Sequence, residues 1–98
     1  TLAIKKVFNA NAHNMKVSSI KSMLGHSLGA TGAIEAVAAV LTLRDQIVPG
    51  TINCANLGEG CDLDYVRFGS LAMDIPYVLS NSFGFGGTNG ALLFKRVL

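Results

Sequence analysis

The stretch KSMLGHSLGATGAIEAVAAVL, Lys21 to Leu41, decides the fold of this chain. It places one histidine, His26, between glycines and continues into an almost wholly apolar segment that carries a single charge, Glu35. The length of this segment and its Ala, Leu, Ile and Glu content predict a helix from Leu28 to about Asp45, although each of its glycines costs about 1 kcal/mol relative to alanine. A helix that is apolar nearly all round is expected to be buried, with protein on both sides.

One flank of this predicted helix consists of small residues, which recur at three- and four-residue steps and leave a groove that another backbone can approach. They are Gly25, Gly29, Gly32, Ala33 and Ala36. Close packing at that flank would offset the low helix propensity of the glycines.

Shorter elements are predicted before this helix. An amphipathic helix is expected from Thr1 into the Asn-rich stretch Asn9–Asn14, followed by a short extended segment, Met15–Ser19. The segment KSMLGH is expected to be a loop that delivers His26 to the central helix.

The C-terminal part is expected to contribute strands. A short strand is predicted over Leu63 to Val66, and a longer one over YVLSNSF after Pro76. The glycine loop GFGGTNG then leads to ALLFKRVL, whose continuous apolar start predicts a strand buried on both faces. A hairpin-like pair of strands, together with the helix before it, indicates an α/β fold with a layered core.

Composition indicates a chain that normally packs against further protein. Of its 98 residues, 50% are hydrophobic and 14% are charged, and the mean hydropathy is +0.44. Average soluble domains carry about 25% charged residues. A chain of this length also leaves much of its surface uncovered when it folds alone.

Charge and hydropathy argue against two classes of partner. The net charge of +2 comes from scattered Lys and Arg, without a run that could follow a phosphate backbone, so no nucleic acid is expected. The longest apolar run, Ala36 to Leu41, is far shorter than the roughly 20 residues that span a bilayer, and no N-terminal targeting pattern is seen. No membrane association and a cytoplasmic location are therefore expected.

Cys54 and Cys61 are separated by six residues. This spacing matches neither the C-x-x-C redox motif nor a pair of zinc ligands. Two reduced thiols are expected, and free cysteine is among the residue types most often buried.

The loop GFGGTNG, Gly84 to Gly90, fits no nucleotide-binding motif. Counted from Gly84, the pattern G-x-G-x-x-G requires glycine at position 89, which is Asn89, and the Gly-Lys-Ser/Thr of a P-loop is absent. Two interpretations remain: a loop whose backbone N–H groups come close to a ligand, or a tight turn with glycines at positive φ.

His26 precedes the predicted start of the central helix, where unpaired backbone N–H groups and the helix dipole disfavour a protonated imidazole. A neutral imidazole can donate a hydrogen bond to oxygen charge that develops during a reaction. A purely structural hydrogen-bonding role is the alternative.

Glu35 has no Lys or Arg three or four residues away on its own helix, and a buried carboxylate without compensation is costly. Its partner is expected to be Lys21, a backbone N–H cluster or a bound cation, unless the side chain reaches solvent.

Three segments together resemble one family: VSSIKSMLGHSLGATGAIEAVAAVLTLRDQIVPGTIN, EGCDLDYV and LSNSFGFGGTNGALLFKR. They are similar to the C-terminal part of the β-ketoacyl-acyl-carrier-protein synthases, the condensing enzymes of fatty-acid elongation, and they cover nearly everything from Val17 to Arg96. The resemblance implies that residues 1–98 form a C-terminal segment of the layered α/β/α/β/α thiolase-like fold, with a buried central helix and a mixed sheet.

The resemblance also implies a ping-pong reaction. A cysteine takes the acyl chain as a thioester, and a malonyl-carrier-protein thioester then decarboxylates so that its carbanion attacks the acyl group. The implied partners are acyl carrier protein bearing acyl and malonyl thioesters and, for the parent enzyme, a second copy in a homodimer. No cofactor and no metal ion are implied.

The roles of individual residues follow from the resemblance alone. His26 matches a catalytic histidine that binds the malonyl thioester oxygen and stabilises the enolate, and Lys21 matches a lysine that supports the hydrogen-bond network of the site. Phe85 matches a gating phenylalanine whose backbone N–H contributes to an oxyanion hole.

Further positions of the implied site belong to the glycine loop and to its surroundings. The loop positions expected to contact substrate are Phe83, Gly84 and Gly86, together with Phe85. Glu35 matches a buried acid in the same network, or in a structural cation site with Ser80 and Asn81.

The sequence also departs from the family pattern. The nucleophilic cysteine and a second catalytic histidine belong to upstream segments of family members, so this chain alone is expected to be inactive. His13, Cys54 and Cys61 match no catalytic position. Gly50 stands where proline is usual and Val66 to Asp74 diverges; both are expected to be surface changes.

Two other interpretations stay open. An aromatic-polyketide-type ketosynthase shares SSIKSMLGHSLGA but more often departs in the final glycine loop, so SNSFGFGGTNG favours fatty-acid synthesis. A truncated fragment with a binding or purely structural role is the second alternative.

Overall fold

The computed structural model describes residues 1–97, and these divide into two compact units that each combine two stretches of the chain. The first unit contains residues 1–25 and 48–71, and the second contains residues 26–47 and the chain from residue 72 onward. Within residues 1–97, every helix is too short or too polar to cross a membrane.

The first unit begins with helix α1 (Leu2–Phe8), which continues as a 3-10 helix, Asn9–Asn14. The predicted stop in the Asn-rich stretch is confirmed, because Asn9 has a φ of 51° that takes the backbone off the α-helical path. The chain then runs extended, as predicted, and Lys16 forms an isolated parallel bridge with Asp64.

The segment predicted as a loop contains one turn of helix, α2 (Lys21–Leu24). Gly25 ends this turn with a φ of 77°, and its N–H donates to the Lys21 carbonyl oxygen, which is a usual role for glycine at a helix end. The prediction of a wholly irregular loop is wrong because of a tertiary contact. The Ser22 hydroxyl donates to the Ser19 carbonyl and accepts the Ile52 N–H, which fastens the turn to a distant loop.

The short strand predicted over Leu63 to Val66 is not formed. Leu63 and Val66 are both buried, which explains their apolar pattern, but Val66 has a φ of 51° and its N–H donates to Asp64 Oδ1 at 3.0 Å. An aspartate that binds the backbone two residues further on favours a turn over a strand. The two side chains join Ala12 and Val48 among the buried residues of the first unit.

Gly50 is buried, so the expectation that it is a surface change is wrong. A Cβ atom at this position would lie 3.0 Å from the carbonyl carbon and oxygen of Gly69, closer than neighbouring backbone allows without a shift. A side chain at position 50 would therefore require the backbone around Gly69, within the divergent segment Val66 to Asp74, to move. Within that segment Phe68 is largely exposed.

Helix α3 (Thr31–Asp45) is the longest element of the second unit and follows a 3-10 turn at Leu28–Ala30. The predicted helix end near Asp45 is confirmed, whereas the predicted start at Leu28 is too early. Leu28 has a φ of 49°, and an α-helix of L-residues excludes that left-handed conformation. Of the predicted small-residue flank, Gly25 and Gly29 precede α3.

Within residues 1–97, four strands form two separate pairs. Strand β1 (Ile47–Val48) pairs with β2 (Leu71–Ala72), and β3 (Tyr77–Phe83) pairs with β4 (Asn89–Lys95). β3 and β4 are antiparallel, with Tyr77 opposite Lys95 and Phe83 opposite Asn89. The predicted hairpin is thus confirmed; β4 begins ahead of the expected ALLFKRVL, and Leu98 of that stretch lies outside the described residues.

One face of the hairpin packs on α3. A Cβ built on Gly32 would lie 3.6 Å from the Ser82 hydroxyl oxygen, so Ser82 faces the helix. Because side chains alternate along a strand, Val78 and Ser80 share that face, while Leu79 and Asn81 project from the other.

Much apolar surface of the second unit stays exposed within residues 1–97. On α3, Thr31, Ala39 and Leu43 are buried, but Val37 is 60% exposed. On β4, Leu93 is 68% exposed. The sequence predicted that this strand is buried on both faces, and within residues 1–97 it is not. A layered fold would cover this surface with further protein.

Candidate active site

A short turn holds the His26 imidazole by one of its nitrogens. Nδ1 of His26 accepts the backbone N–H of Leu28 at 3.1 Å and lies 2.8 Å from Thr31 Oγ1. Leu28, the residue at the centre of this turn, adopts the left-handed conformation noted above. A leucine in that region costs on the order of 1 kcal/mol, and strained residues of this kind cluster at functional sites.

The hydrogen bond from Leu28 determines where the imidazole carries its proton. A ring nitrogen that accepts an N–H is unprotonated, so the hydrogen of the neutral ring is on Nε2. His26 therefore presents an Nε2–H donor on the side of the ring away from the turn. An N–H donor with a fixed direction is suited to oxygen charge that appears only during a reaction.

The physical reason for this state differs from the predicted one. Helix α3 begins at Thr31, five residues after His26, so the imidazole does not sit directly at the helix start. The contact that the structure shows at Nδ1 is one specific backbone N–H, from Leu28.

The glycine loop is a tight turn that closes the β3–β4 hairpin. The Gly84 N–H donates to the Thr88 carbonyl oxygen at 2.7 Å, and a Cβ on Gly84 would lie 2.9 Å from the same oxygen. Gly86 and Gly87 have φ values of 82° and 84°. The tight-turn interpretation is confirmed, and the turn presents Phe85 fully exposed at its tip.

Helix α3 brings the histidine turn and the glycine loop to the same end of the second unit. Thr31, which contacts the His26 ring, is the first residue of α3. The next residue, Gly32, faces Ser82, and Ser82 is followed directly by Phe83 and the glycine loop. The two motifs that carried the family resemblance therefore lie near each other in space.

The remaining residues of the expected site are distributed as follows. Glu35 is half-buried on α3, one turn after Thr31 and on the same side of the helix. Ser80 is half-buried on the helix-facing side of β3, whereas the exposed Asn81 projects from the opposite face. The side chains of Ser80 and Asn81 thus do not converge on one point.

Lys21 belongs to the first unit, at the start of α2, and Glu35 belongs to the second. The pairing of Lys21 with Glu35 stays a prediction. Cys54 and Cys61 are free thiols, and both are half-buried rather than fully buried.

Among residues 1–97, no three His, Cys, Asp or Glu side chains are grouped so that they could hold a metal ion. The sequence analysis did not predict the two contacts that hold the His26 ring, from the Leu28 N–H and from the Thr31 hydroxyl. The sequence does contain a hint of the Thr31 contact, because a hydroxyl residue stands five positions after His26, near the predicted start of the central helix. No role was predicted for that residue.

Comparison with known proteins adds relatives for most of the chain. Residues 1–55 match the family described as Beta-ketoacyl synthase, C-terminal domain. The 3-oxoacyl-[acyl-carrier-protein] synthase 2 of Coxiella burnetii is 57% identical over 95 residues, which cover 97% of this chain and 23% of the relative. The protein of the same name from Synechocystis is 52% identical over 96 residues, which cover 98% of this chain and 23% of the relative. The chain therefore spans 23% of the length of these curated relatives.

Two solved structures are similar as well. A ketosynthase of a type II polyketide system, solved with its acyl-carrier protein and bound to the hexaketide, has a TM-score of 0.93 and 38% identity, covering 97% of this chain and 23% of that chain. A β-ketoacyl synthase from Burkholderia phymatum has a TM-score of 0.81 and 42% identity, covering 86% of this chain and 21% of that chain. These likenesses confirm the predicted fold class, the C-terminal part of a thiolase-like fold.

Proposed function

Because the chain belongs to the β-ketoacyl synthase family, we propose that it is the C-terminal segment of a condensing acyltransferase that elongates acyl chains. The reaction is the decarboxylative condensation of malonyl-acyl-carrier protein with an acyl thioester on the enzyme. The observation that carries this proposal is the state of His26, whose Nδ1 is occupied by the Leu28 N–H so that Nε2–H is the donor.

The chemistry of the second half-reaction needs such a donor. When the malonyl thioester loses carbon dioxide, the electron pair of the broken bond moves into the thioester, and negative charge collects on its oxygen. A hydrogen bond from His26 Nε2–H to that oxygen stabilises the enolate. The enolate carbon then attacks the acyl thioester, the new carbon–carbon bond forms, and the cysteine thiolate of the enzyme leaves.

The other expected residues receive supporting roles in this proposal. Phe85, at the exposed tip of the hairpin turn, gates access to the acyl-carrying cysteine, and its backbone N–H contributes to the oxyanion hole. Lys21 supports the hydrogen-bond network of the site. Substrate contacts from the loop are assigned to Phe83, Gly84 and Gly86. The structural network is assigned to Glu35 and Ser80, while Asn81, on the opposite face of β3, can join it only through its backbone.

The same proposal includes the setting of the enzyme. Its thioester substrates arrive on acyl carrier protein, it works as a homodimer, and it acts in the cytoplasm. Fatty-acid synthesis is favoured over an aromatic-polyketide pathway, because the two synthase 2 relatives are 57% and 52% identical while the polyketide ketosynthase is 38% identical.

The experiment that tests this function is the substitution His26→Ala in the full-length protein that carries this segment. We expect malonyl decarboxylation and condensation to fall by about 100-fold or more, the cost of losing one oxyanion donor, while acyl transfer to the cysteine continues. The matched control is His13→Ala, since His13 is exposed on the 3-10 helix of the other unit. If His26→Ala decarboxylates malonyl thioesters as fast as the unsubstituted enzyme, the assignment is wrong.

A second assay addresses the alternative of a non-catalytic fragment. The 98-residue chain is offered acyl and malonyl thioesters on carrier protein, and condensation and carrier-protein binding are measured separately. We expect no condensation from the chain alone. Tight carrier-protein binding with no activity in any longer protein would favour a binding role instead.

A further inference from the structure

We propose that Thr31 is a positioning residue for the His26 imidazole, an inference that rests on the proposed function of His26. Thr31 Oγ1 lies 2.8 Å from His26 Nδ1, and the residue is buried, with 8% of its surface exposed. Its hydroxyl is the second group, after the Leu28 N–H, that contacts the same ring nitrogen.

The direction of the Thr31 hydrogen bond follows from the first contact. Since Nδ1 already accepts the Leu28 N–H, it carries no proton and can only accept. The Thr31 hydroxyl therefore donates its hydrogen to the ring. The contact keeps Nε2–H as the outward donor and adds a second fixed point to the ring.

The two contacts come from different parts of the second unit. Leu28 lies in the same short turn as His26 and moves with it, whereas Thr31 is the first residue of α3. The Leu28 bond alone leaves the imidazole free to follow any movement of the turn. The Thr31 bond ties the ring to the helix that packs on the hairpin, and so sets the direction of Nε2–H relative to the glycine loop.

A role in helix capping does not account for this hydroxyl. The residue before α3 is Ala30, and the helix start has no hydrogen bond from a side-chain cap. Threonine at a helix start commonly serves the backbone, yet here its hydroxyl is directed to the imidazole. The contact that the structure shows for this hydroxyl is therefore with a proposed catalytic side chain and not with the backbone of α3.

The consequence for the reaction is a change in rate with little change in binding. Without the hydroxyl, Nδ1 still accepts the Leu28 N–H, so the hydrogen stays on Nε2, but the ring orientation is less restricted. We expect kcat for malonyl decarboxylation to fall about 5-fold, which corresponds to the worth of one ordinary hydrogen bond. KM for malonyl-acyl-carrier protein is expected to stay unchanged, because Thr31 touches the histidine and not the carrier.

The test compares Thr31→Val with Thr31→Ser in the full-length protein. Valine keeps the shape and removes the hydroxyl, whereas serine keeps the hydroxyl, so Thr31→Ser should retain the kcat of the unsubstituted enzyme. Histidine labelled with nitrogen-15 gives a second readout. The resonance of the unprotonated His26 nitrogen, assigned by its loss in His26→Ala, should move downfield in Thr31→Val and stay in place in Thr31→Ser.

Two results would overturn the proposal: an unchanged kcat and nitrogen resonance in Thr31→Val, or the same loss in Thr31→Ser as in Thr31→Val. If Thr31→Val does not fold, Thr31→Ala carries the comparison, since alanine is well tolerated at a helix start. The resonance shift depends on the hydrogen bond and not on catalysis. A shift in Thr31→Val together with full activity in His26→Ala would therefore refute the proposed function alone.

Discussion

At the scale of single residues, one or two close contacts with neighbouring groups determine the orientation of a side chain or the path of the backbone. His26 is an exposed histidine, and what distinguishes it from a surface imidazole is one N–H from Leu28 and one hydroxyl from Thr31. Gly84 is a comparable case, since its lack of a Cβ lets the hairpin close against Thr88. A contact of a few atoms thus sets the direction of the His26 ring in one place and the closure of the hairpin in the other.

Gly84→Ala tests the second of these contacts. The new Cβ would lie 2.9 Å from the Thr88 carbonyl oxygen, and overpacking against backbone costs about 1–3 kcal/mol. We expect the unfolding midpoint of the full-length protein to fall accordingly. Gly90→Ala is the control, because nothing lies within 4 Å of its built Cβ, and an equal loss in both variants would contradict the steric explanation.

At the scale of elements, Gln46 fastens the end of α3 to the chain around the hairpin. It ends the helix in the left-handed conformation, with a φ of 58°. Its side-chain Nε2 donates to the carbonyl oxygens of Leu43 and Ile75, and its Oε1 accepts the Ile75 N–H and an Arg96 guanidinium N–H at 2.7 and 2.6 Å. One amide thus joins the helix, the segment before β3 and the residue after β4.

Gln46→Ala is expected to lower the free energy of unfolding by about 2 kcal/mol, because several hydrogen bonds of about 1 kcal/mol each are lost and replaced in part by water. Gln46→Gly loses the same bonds but removes the strain of a side chain at positive φ, worth about 1 kcal/mol. Urea unfolding should therefore rank the unsubstituted protein above Gln46→Gly and Gln46→Ala lowest. If Gln46→Ala were the more stable of the two variants, the strain explanation would be wrong, and if both variants matched the unsubstituted protein, the side-chain bonds would contribute little.

Ion pairs link the N-terminal segment to the loop around residue 64 in the first unit. The hydrogen bond from the Lys16 ammonium, followed by the Val66 N–H, holds the pKa of Asp64 below its usual range. A lowered pKa in the folded state means that the added stability is present above about pH 4, the ordinary carboxyl value, and is lost as pH falls through the lower folded value. Both side chains are partly exposed, so the contribution is small.

Asp64→Asn should remove this part of the acid dependence, since the amide has no charge to lose. The unfolding midpoint, measured from pH 7 down to pH 3, is expected to fall less steeply in Asp64→Asn than in the unsubstituted protein. Lys16→Met should flatten the same part of the curve, because it removes the largest cause of the shift. Parallel curves for all three proteins would mean that the pair does not couple to folding.

At the scale of the whole molecule, exposed apolar side chains dominate. Val37 on α3, Leu93 on β4 and Phe85 in the turn all lie largely in solvent within residues 1–97. Large apolar side chains left exposed in this number indicate surface that packs against other protein. The relatives, of which this chain covers 23%, are long enough to supply it.

The isolated 98-residue chain is therefore expected to associate with itself. Size-exclusion chromatography with light scattering at two concentrations would measure this, with a mean mass that rises with concentration. A compact monomer of constant mass would contradict the inference that these faces need covering.

The sequence by itself determined the long helix up to Asp45 and the β3–β4 hairpin, together with the family, and it left the tight turn as one of two interpretations of the glycine loop. These features depend on residue types and spacings within a few positions of each other, so they can be read locally. Only the tertiary structure decided that α2 is helical, that Leu63 to Val66 forms a single bridge at Asp64 and then turns, and that Gly50 is buried against Gly69. It also decided that Leu28 and Thr31 hold the His26 ring. The physical reason is that each of these depends on which particular atoms come within contact or hydrogen-bonding distance, and the same order of residues is compatible with other backbone conformations in which they do not.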